Sequence, residues 1–558
     1  MAHETLAPIV DLLQRIPLSA RVVLDLACGR GDLLGAYRLM NPTARLLGIE
    51  KDPVAAVVAR RRIHEVAVAD IERDQMPFDL SGGVDCIIYS MALEHQRDPW
   101  AMIQRHRELL TPNGMMLMCL PNMEHWSFAN RLLRGTWDYE QSGLLDRSHV
   151  RWFSRDATRR GLVNAGLIPC DVHPRIFDQE RAASFAEAMK PALTTLGIDP
   201  DEYQKRAAPL QYVWRVRRQA QQRVHVAGNM LAPVGGVSHV RVLHPLQAIG
   251  TDPTMSVQVA DRIDEQVAPN QPKIFILHRP ALSGQQGHNL LRALRGAGWL
   301  VITEFDDHPD FFEVMQDKEQ LTFRGVHAVQ TSTPALAEVL RQRNPEVAIF
   351  PNSIVSLPEV RNFLDPRCLT VFFGALNREH DWRDFMPAIN AVVKKVGDRL
   401  RFQVVHDKAF FDALETGRKL FTPTCDYDTY MKLLGESEIS LMPLQDNDFN
   451  RAKSDLKFIE AGACRVTPLA SAVVYADSIK DGRTGLLFRT PQELQARLLR
   501  LVAMPDLARQ IGDAARRYVS EERMLAYQVA PRIAWYRSLW ARRESLTSAI
   551  DERLAQAA

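Results

Sequence analysis

From about residue 20 to 120, short apolar runs alternate with stretches whose apolar positions recur at helical spacing. RVVLDLA, RLLGIE, EVAVAD, VDCIIYS and GMMLMCLP predict strands, and DLLGAYRL, PVAAVVARRR and PWAMIQRHRELL predict helices between them. Strands that are apolar throughout, separated by helices, imply a parallel sheet covered on both faces. A helix-rich stretch follows, and LQYVWRVRR near 210–218 predicts a closing strand. At RVHVAGNM, near 223, the alternation starts again with KIFILHR, WLVITEF, VHAVQT and VAIFPNS. Beyond a connector bearing Pro and Asn near 351–368, CLTVFFGAL, LRFQVVH, EISLMPL and RVTPLAS predict a third series. The pattern therefore predicts three doubly wound α/β units, within 1–220, 221–365 and 366–540, with a helical tail at 541–558. The last two units are expected to face each other across a cleft.

Length agrees, since 558 residues exceed what one hydrophobic core serves. With 46% apolar and 24% charged residues the chain reads as globular, and a net charge of +2 gives no basic field for nucleic acid. No apolar run reaches the ~18 residues of a membrane span. The start, MAHETLAPIVDLLQ, lacks the basic and then apolar pattern of a secretory signal. Seven cysteines are scattered without CxxC pairing, which fits reduced thiols in a cytoplasm. The end, WYRSLWARRESLTSAI, is basic, aromatic and helical, open to peripheral contact with the inner face of a membrane or to packing on the protein. Packing is the expectation.

Candidate chemistry begins at Val-Leu-Asp-Leu-Ala-Cys-Gly-Arg-Gly-Asp, residues 23–32, where a strand runs through a glycine turn into a helix. Gly29 and Gly31 let the backbone approach a ligand at the carboxyl end of a sheet. Asp25, just before them, would repel a pyrophosphate and suits a cationic ligand. Leu34 stands where a dinucleotide fingerprint carries its third glycine. Glu50 is expected to end the second strand, where an acid can accept both ribose hydroxyls. Asp70 is expected to end the third, near an adenine amino group, with Ile71 against the ring. The alternative is that these acids are solvated loop residues.

With those positions in view, residues 20–170 resemble the class I, seven-strand-sheet methyltransferases, especially the small-molecule group. Asp25, Gly29 and Gly31 match that family's first motif, Glu50 its second and Asp70 its adenine position. DCIIYSMALEHQRDPWAMIQRHRELLTPNGMMLMCLPN is similar to its fourth- and fifth-strand region. The resemblance implies S-adenosyl-L-methionine as methyl donor and says less about the acceptor. LLDRSHVRWFS, 144–154, resembles a segment that lies over the cofactor. It offers His149 as general base and Arg151 to steer an anionic group, with His95 as a second candidate base. Alternatively, His149 and Arg151 only hold that loop to the sheet. Methyl transfer needs in-line alignment, so positioning contributes most.

Residues 221–540 resemble the GT-B glycosyltransferases of the group 1, family 4 type. Gly235 and Gly236, in APVGGVSHVR, let backbone approach a ligand ahead of a helix N-terminus. Further on, MPLQDNDFNRAKSDLKFIEAGA, 442–463, predicts a strand, a polar loop and a helix starting near Lys453. Lys453, Lys457 and Glu460 would then share one helical face, opposite Leu456, Ile459 and Ala463. Two lysines can neutralise a diphosphate while the carboxylate binds ribose; the other reading is a solvated Lys–Glu pair. Arg378 follows the strand that opens the donor half and could clamp the leaving diphosphate. Asp306 and Asp307 follow WLVITEF, and Asp307 is a candidate to orient the acceptor at the catalytic centre. Retaining members commonly carry Glu-x7-Glu; Glu460 fits the second glutamate, but Ala452 stands at the first. The sugar would then be held differently, with Asp446, Asp448 and Asn450 as candidates.

The expected fold is thus α/β: a Rossmann-like methyltransferase domain followed by a two-lobed GT-B glycosyltransferase. The expected function is bifunctional, a methyl from S-adenosylmethionine and a sugar from a nucleotide-sugar. The acceptor is expected to be a bacterial surface polysaccharide or related glycan, free or lipid-linked. A second reading makes the glycosyltransferase-like half a glycan- or nucleotide-binding module without turnover. A third, a dehydrogenase, is opposed by Asp25 and Leu34. No metal and no nucleic-acid partner are expected, and oligomeric state stays open.

Overall fold

The computed structural model describes residues 7–141, 143–230, 238–259, 267, 270–315, 318–361, 365, 367–376 and 378–556. It divides into two units, one of Met1–Arg38, Thr43–Gln222 and Thr251–Thr254, the other of Leu39–Pro42, Arg223–Gly250 and Met255–Ala558.

The first unit is built on β1 (Val22–Leu26), β2 (Arg45–Glu50), β3 (Glu65–Val68), β4 (Val84–Ser90), β5 (Leu110–Pro121), β6 (Ile168–Arg175) and β7 (Gln211–Arg217). Their order is β3-β2-β1-β4-β5-β7-β6. All neighbours pair in parallel except β7, which is antiparallel to both β5 and β6. The apolar run that predicts β1 is buried on both faces, and Leu24, Leu47, Ile87, Met116 and Trp214 form the core. β6 was not expected, because Pro169 and Pro174 interrupt its pattern; an edge strand tolerates them. β3 ends at Val68, so Asp70 lies two residues beyond the strand rather than at its end. A turn forms there because the Asp74 carboxylate accepts the Asp70 N–H and the Asp70 carboxylate accepts that of Glu72.

The second unit holds two parallel sheets. One contains β8 (Val224–Gly228), β9 (Met255–Val259), β10 (Lys273–His278), β11 (Leu300–Glu304), β12 (Ala328–Thr331) and β13 (Val347–Ile349). The other contains β14 (Leu369–Gly374), β15 (Leu400–Val405), β16 (Lys419–Thr422), β17 (Ile439–Met442), β18 (Thr467–Ser471) and β19 (Leu486–Phe488). Their orders are β13-β12-β11-β10-β8-β9 and β16-β15-β14-β17-β18-β19. Two Rossmann-like sheets in one unit make the GT-B arrangement. β9, β16 and β19, three short edge strands, were not foreseen from the sequence.

Each sheet has a switch point between parallel strands: between β1 and β4, between β8 and β10, and between β14 and β17. Beyond the carboxyl ends of such strand pairs lie the crevices where α/β sheets bind ligands. The helices Ala526–Ala541 and Arg543–Ala555 return to the β8–β13 side of the second unit. There the Tyr536 hydroxyl donates to Gln330 Oε1 at 2.9 Å, and Arg553 donates to the carbonyls of Arg324 and Val326. Among the described residues, no helix is long and apolar enough to cross a membrane.

Candidate functional sites

At the first crevice, β1 carries Asp25 to a position only 2% exposed, and its Oδ1 has no hydrogen-bond partner. Burial, with the negative charge of Glu50 added, pushes this carboxyl up to about 7. The loop after β1 holds Ala27, Gly29 and Gly31 at φ of 81°, 54° and 76°. A Cβ on Gly29 would meet nothing within 4 Å, so this turn is open ground. A Cβ on Gly31 would come within 3.0 Å of Ile63 and 3.1 Å of the Ala59 backbone, so Gly31 lets the loop close onto its neighbouring helix. Glu50, at the end of β2, accepts the N–H groups of Gly29 at 2.7 Å and Asp52 at 2.9 Å. Asp70 pairs with Lys51 at 3.1 Å. Burial raises its pKa, but the Glu72 N–H and Lys51 outweigh that and leave it below the usual carboxylate range. Ile71 is half-buried against the core.

On the other side of the switch point, β4 leads into the short turn Leu93–His95. The backbone carbonyl of Glu94 accepts the N–H groups of Val150 at 2.8 Å and Arg151 at 3.1 Å, fixing segment 144–154 beside it. His149 is buried and His95 is exposed, with ring centroids 5.0 Å apart. His149 Nδ1 lies 3.2 Å from the Leu144 carbonyl, and His95 Nδ1 lies 3.2 Å from that of Ser148. Burial, then the neighbouring His95, holds His149 below the ordinary imidazole range. Arg151 donates to the backbone carbonyls of Arg97 and Val150. Glu94, which sequence reasoning passed over, is fully buried, and neither carboxylate oxygen has a hydrogen-bond partner. Burial pushes it up to about 7.

In the second unit a cleft of about 280 Å³ is lined from both sheets. Arg241, Arg279, Asp306 and Asp307 come from the β8–β13 side; Arg378, His406, Tyr427, Lys457 and Glu460 come from the β14–β19 side. Asp307 sits in an ion-pair cluster, 3.0 Å from Arg279 and 2.8 Å from Lys453, while Arg279 also reaches Asp306 at 2.6 Å. Arg378 is braced by Asp381 and by the Asn450 side-chain oxygen, both at 3.1 Å. Lys457 donates to the Gly374 carbonyl. Glu460 is 3% exposed and accepts the Tyr427 hydroxyl at 3.0 Å. Burial pushes Glu460 up, opposed by Lys457, and pushes Lys457 down, opposed by Glu460. Gly235 and Gly236 lie outside the described residues.

Residues 1–168 match the family described as methyltransferase domain, and residues 383–531 match the one described as glycosyl transferase-like. The chain joins a methyltransferase domain to a glycosyl transferase-like domain. Trans-aconitate 2-methyltransferase of Escherichia coli is 27% identical over 142 residues, 25% of this chain and 55% of that protein. A ubiquinone biosynthesis O-methyltransferase of Cereibacter sphaeroides is 28% identical over 175 residues, 30% of this chain and 68% of that protein. A 37.1 kDa protein of a Streptomyces fradiae transposon is 30% identical, with 40% of its length covered, so the chain spans about half or less of some curated relatives it matches. Among solved structures, sucrose-phosphate synthase from Thermosynechococcus elongatus is similar, with a TM-score of 0.42 and 18% identity over 57% of this chain and 100% of that one. Anabaena HepE, solved with UDP and glucose, gives 0.41 and 13% over 56% of this chain and 99% of that one.

One expectation about the glycosyl transferase-like domain needs correction. Its helix spans Leu456–Ala463, so Lys453 sits in the preceding turn and does not share a helical face with Lys457 and Glu460. Asp455 occupies the N-cap position, and its carboxylate is bound by Arg523 at 2.5 and 2.7 Å and by Ser478 at 2.5 Å. Leu456 is only half-buried, while Ile459 and Ala463 are buried as expected. Of the proposed sugar holders, Asp446 and Asp448 pair with Arg451, and the Asn450 amide is buried among Asp381, Gln445 and Arg378. Asn450 therefore positions Arg378. Arg279 was missed in sequence because a single Arg after a buried strand carries no pattern of its own.

Proposed function

We propose that this chain is a bifunctional transferase that methylates an acceptor hydroxyl and transfers a sugar, acting on a bacterial surface polysaccharide or related glycan. The methyl-transfer half rests on one observation above all, the buried and unpartnered Asp25 oxygen beside an open glycine turn. A buried carboxylate without a partner is costly, and an ammonium group repays it. The residues thus fit S-adenosylmethionine, with Asp25 on the amine, Glu50 on the ribose hydroxyls and Asp70 with Ile71 at the adenine. When bound, it supplies a sulfonium methyl that the acceptor oxygen takes as the thioether leaves. The acceptor proton departs on the side of His95 and His149. Isothermal titration with S-adenosylmethionine tests this reading. Stoichiometric binding that Asp25→Ala abolishes is the expected result, and tight NAD binding in its place would revive the dehydrogenase.

For the other half, Arg378, Lys453 and Lys457 bring positive charge to one cleft, which suits the diphosphate of a nucleotide-sugar. Asp307 is proposed to orient the acceptor, and Gly235 and Gly236 to border the donor. A specific observation favours the second reading, a binding module without turnover. Ala452 replaces the first glutamate, and Glu460, Lys457 and Lys453 are each held by groups of the chain itself. Hydrolysis across a panel of nucleotide-sugars separates the two. Turnover that Glu460→Ala and Arg378→Ala abolish supports the transferase; binding without turnover leaves the module.

A further inference from the structure

We propose that Glu94, His95 and His149 form a divalent-metal site, with zinc as its ion, at the acceptor side of the methyltransferase domain. One ligand atom from each of the three lies within 4.8 Å of the others. Ligand atoms around a zinc at ~2.0–2.2 Å sit roughly 3.3 Å apart, so small side-chain rotations close the set.

The hydrogen bonds around the cluster favour this role. A carbonyl oxygen only accepts, so Nδ1 of His149 facing Leu144, and Nδ1 of His95 facing Ser148, each carry the ring hydrogen. Nε2 of both rings is then left with its lone pair. Metal-bound histidines are oriented in this way, with the second nitrogen donating to a backbone carbonyl. Glu94 supplies a carboxylate whose two buried oxygens have no hydrogen-bond partner. Buried charges of that kind are paired or coordinate metals.

Two histidines and one carboxylate, with a coordination position left open, make a known zinc donor set. Exposed His95 gives the ion a path in, while buried Glu94 and His149 form the floor. The site follows β4, next to β1 and Asp25 in the sheet, which puts it at the same crevice as the proposed methyl donor. That role rests on the methyltransferase reading; binding of the ion does not. With their Nε2 lone pairs on an ion, neither histidine would take up the acceptor proton, which would leave to solvent on that side.

The test uses the full chain, stripped with a chelator and titrated with Zn²⁺ by calorimetry, and with Co²⁺ by absorption. One equivalent of Zn²⁺ should bind, and Glu94→Gln, His149→Ala and His95→Ala should each weaken it by at least about tenfold. His95 is exposed, so His95→Ala keeps the fold if either buried variant loses it. Cobalt should give visible bands without the near-ultraviolet absorption of a thiolate ligand, which separates this site from the seven free cysteines. No stoichiometric uptake, uptake unchanged in His95→Ala, or a thiolate band would each overturn the proposal. One equivalent bound by a chain that does not take S-adenosylmethionine supports the metal site and overturns the methyltransferase reading alone.

Discussion

At the scale of single residues, Asp25 concentrates the most chemistry in the fewest atoms. Its carboxyl is raised from 3.8 to about 7, so between those values the folded protein holds a proton that the unfolded chain has lost. Its contribution to stability is therefore full below about 4 and fades as pH rises toward 7. A cationic ligand needs the ionised form, so affinity for S-adenosylmethionine should fall by up to about tenfold per unit below pH 7 and level off above it. Calorimetry from about pH 5.5 to about 8.5 should show that slope in the wild type and none in Asp25→Asn. The same variant should bind the ligand far more weakly, yet raise the melting temperature of the ligand-free domain at pH 8, roughly one unit above the titration. A variant that binds normally at every pH would remove Asp25 from the site.

Between elements, packing at the cleft domain depends on a close helix crossing. Helix Leu456–Ala463 carries Lys457 and Glu460 and lies against helix Pro505–Glu522. Gly512 makes room there, since a Cβ would fall 2.3 Å from the Arg465 carbonyl oxygen, and one on Gly462 would fall 2.9 Å from Val519. Gly512→Ala should thus destabilise the second unit by about 1–3 kcal/mol, as overpacking does, and shift Glu460 with it. Denaturant unfolding followed by probes in each unit checks this, and an unchanged second-unit midpoint would refute it. These elements also show what the sequence made legible. Strands buried on both faces, such as β1, β4 and β14, announce themselves as apolar runs. Edge strands are uneven: β3 and the three-residue β13 were readable as apolar runs, but β6, which carries two prolines, and β19 were not. Motif positions at strand ends were readable one residue at a time. Partners joined only by folding were not, among them Arg279 with Asp307, Tyr427 with Glu460, and Glu94 with His149.

For the whole molecule, two units with separate cores imply two separable responses to ligand. A ligand that binds only the folded form at ~100 times its dissociation constant adds about 2.7 kcal/mol to the unit that holds it. For the first unit, of roughly 220 residues, each kcal/mol moves the midpoint by about 2–4 °C, so a shift of about 5–10 °C is expected there and a smaller one in the larger second unit. S-adenosylmethionine should move one transition and leave the other in place, while one nucleoside diphosphate from a panel should do the reverse. Each transition is assigned by repeating the scan with Asp25→Ala and Glu460→Ala, which should each cancel one shift. Equal movement of both transitions by either ligand would mean that the units unfold as one. A nucleotide response that survives Glu460→Ala and Arg378→Ala would place that ligand outside the cleft.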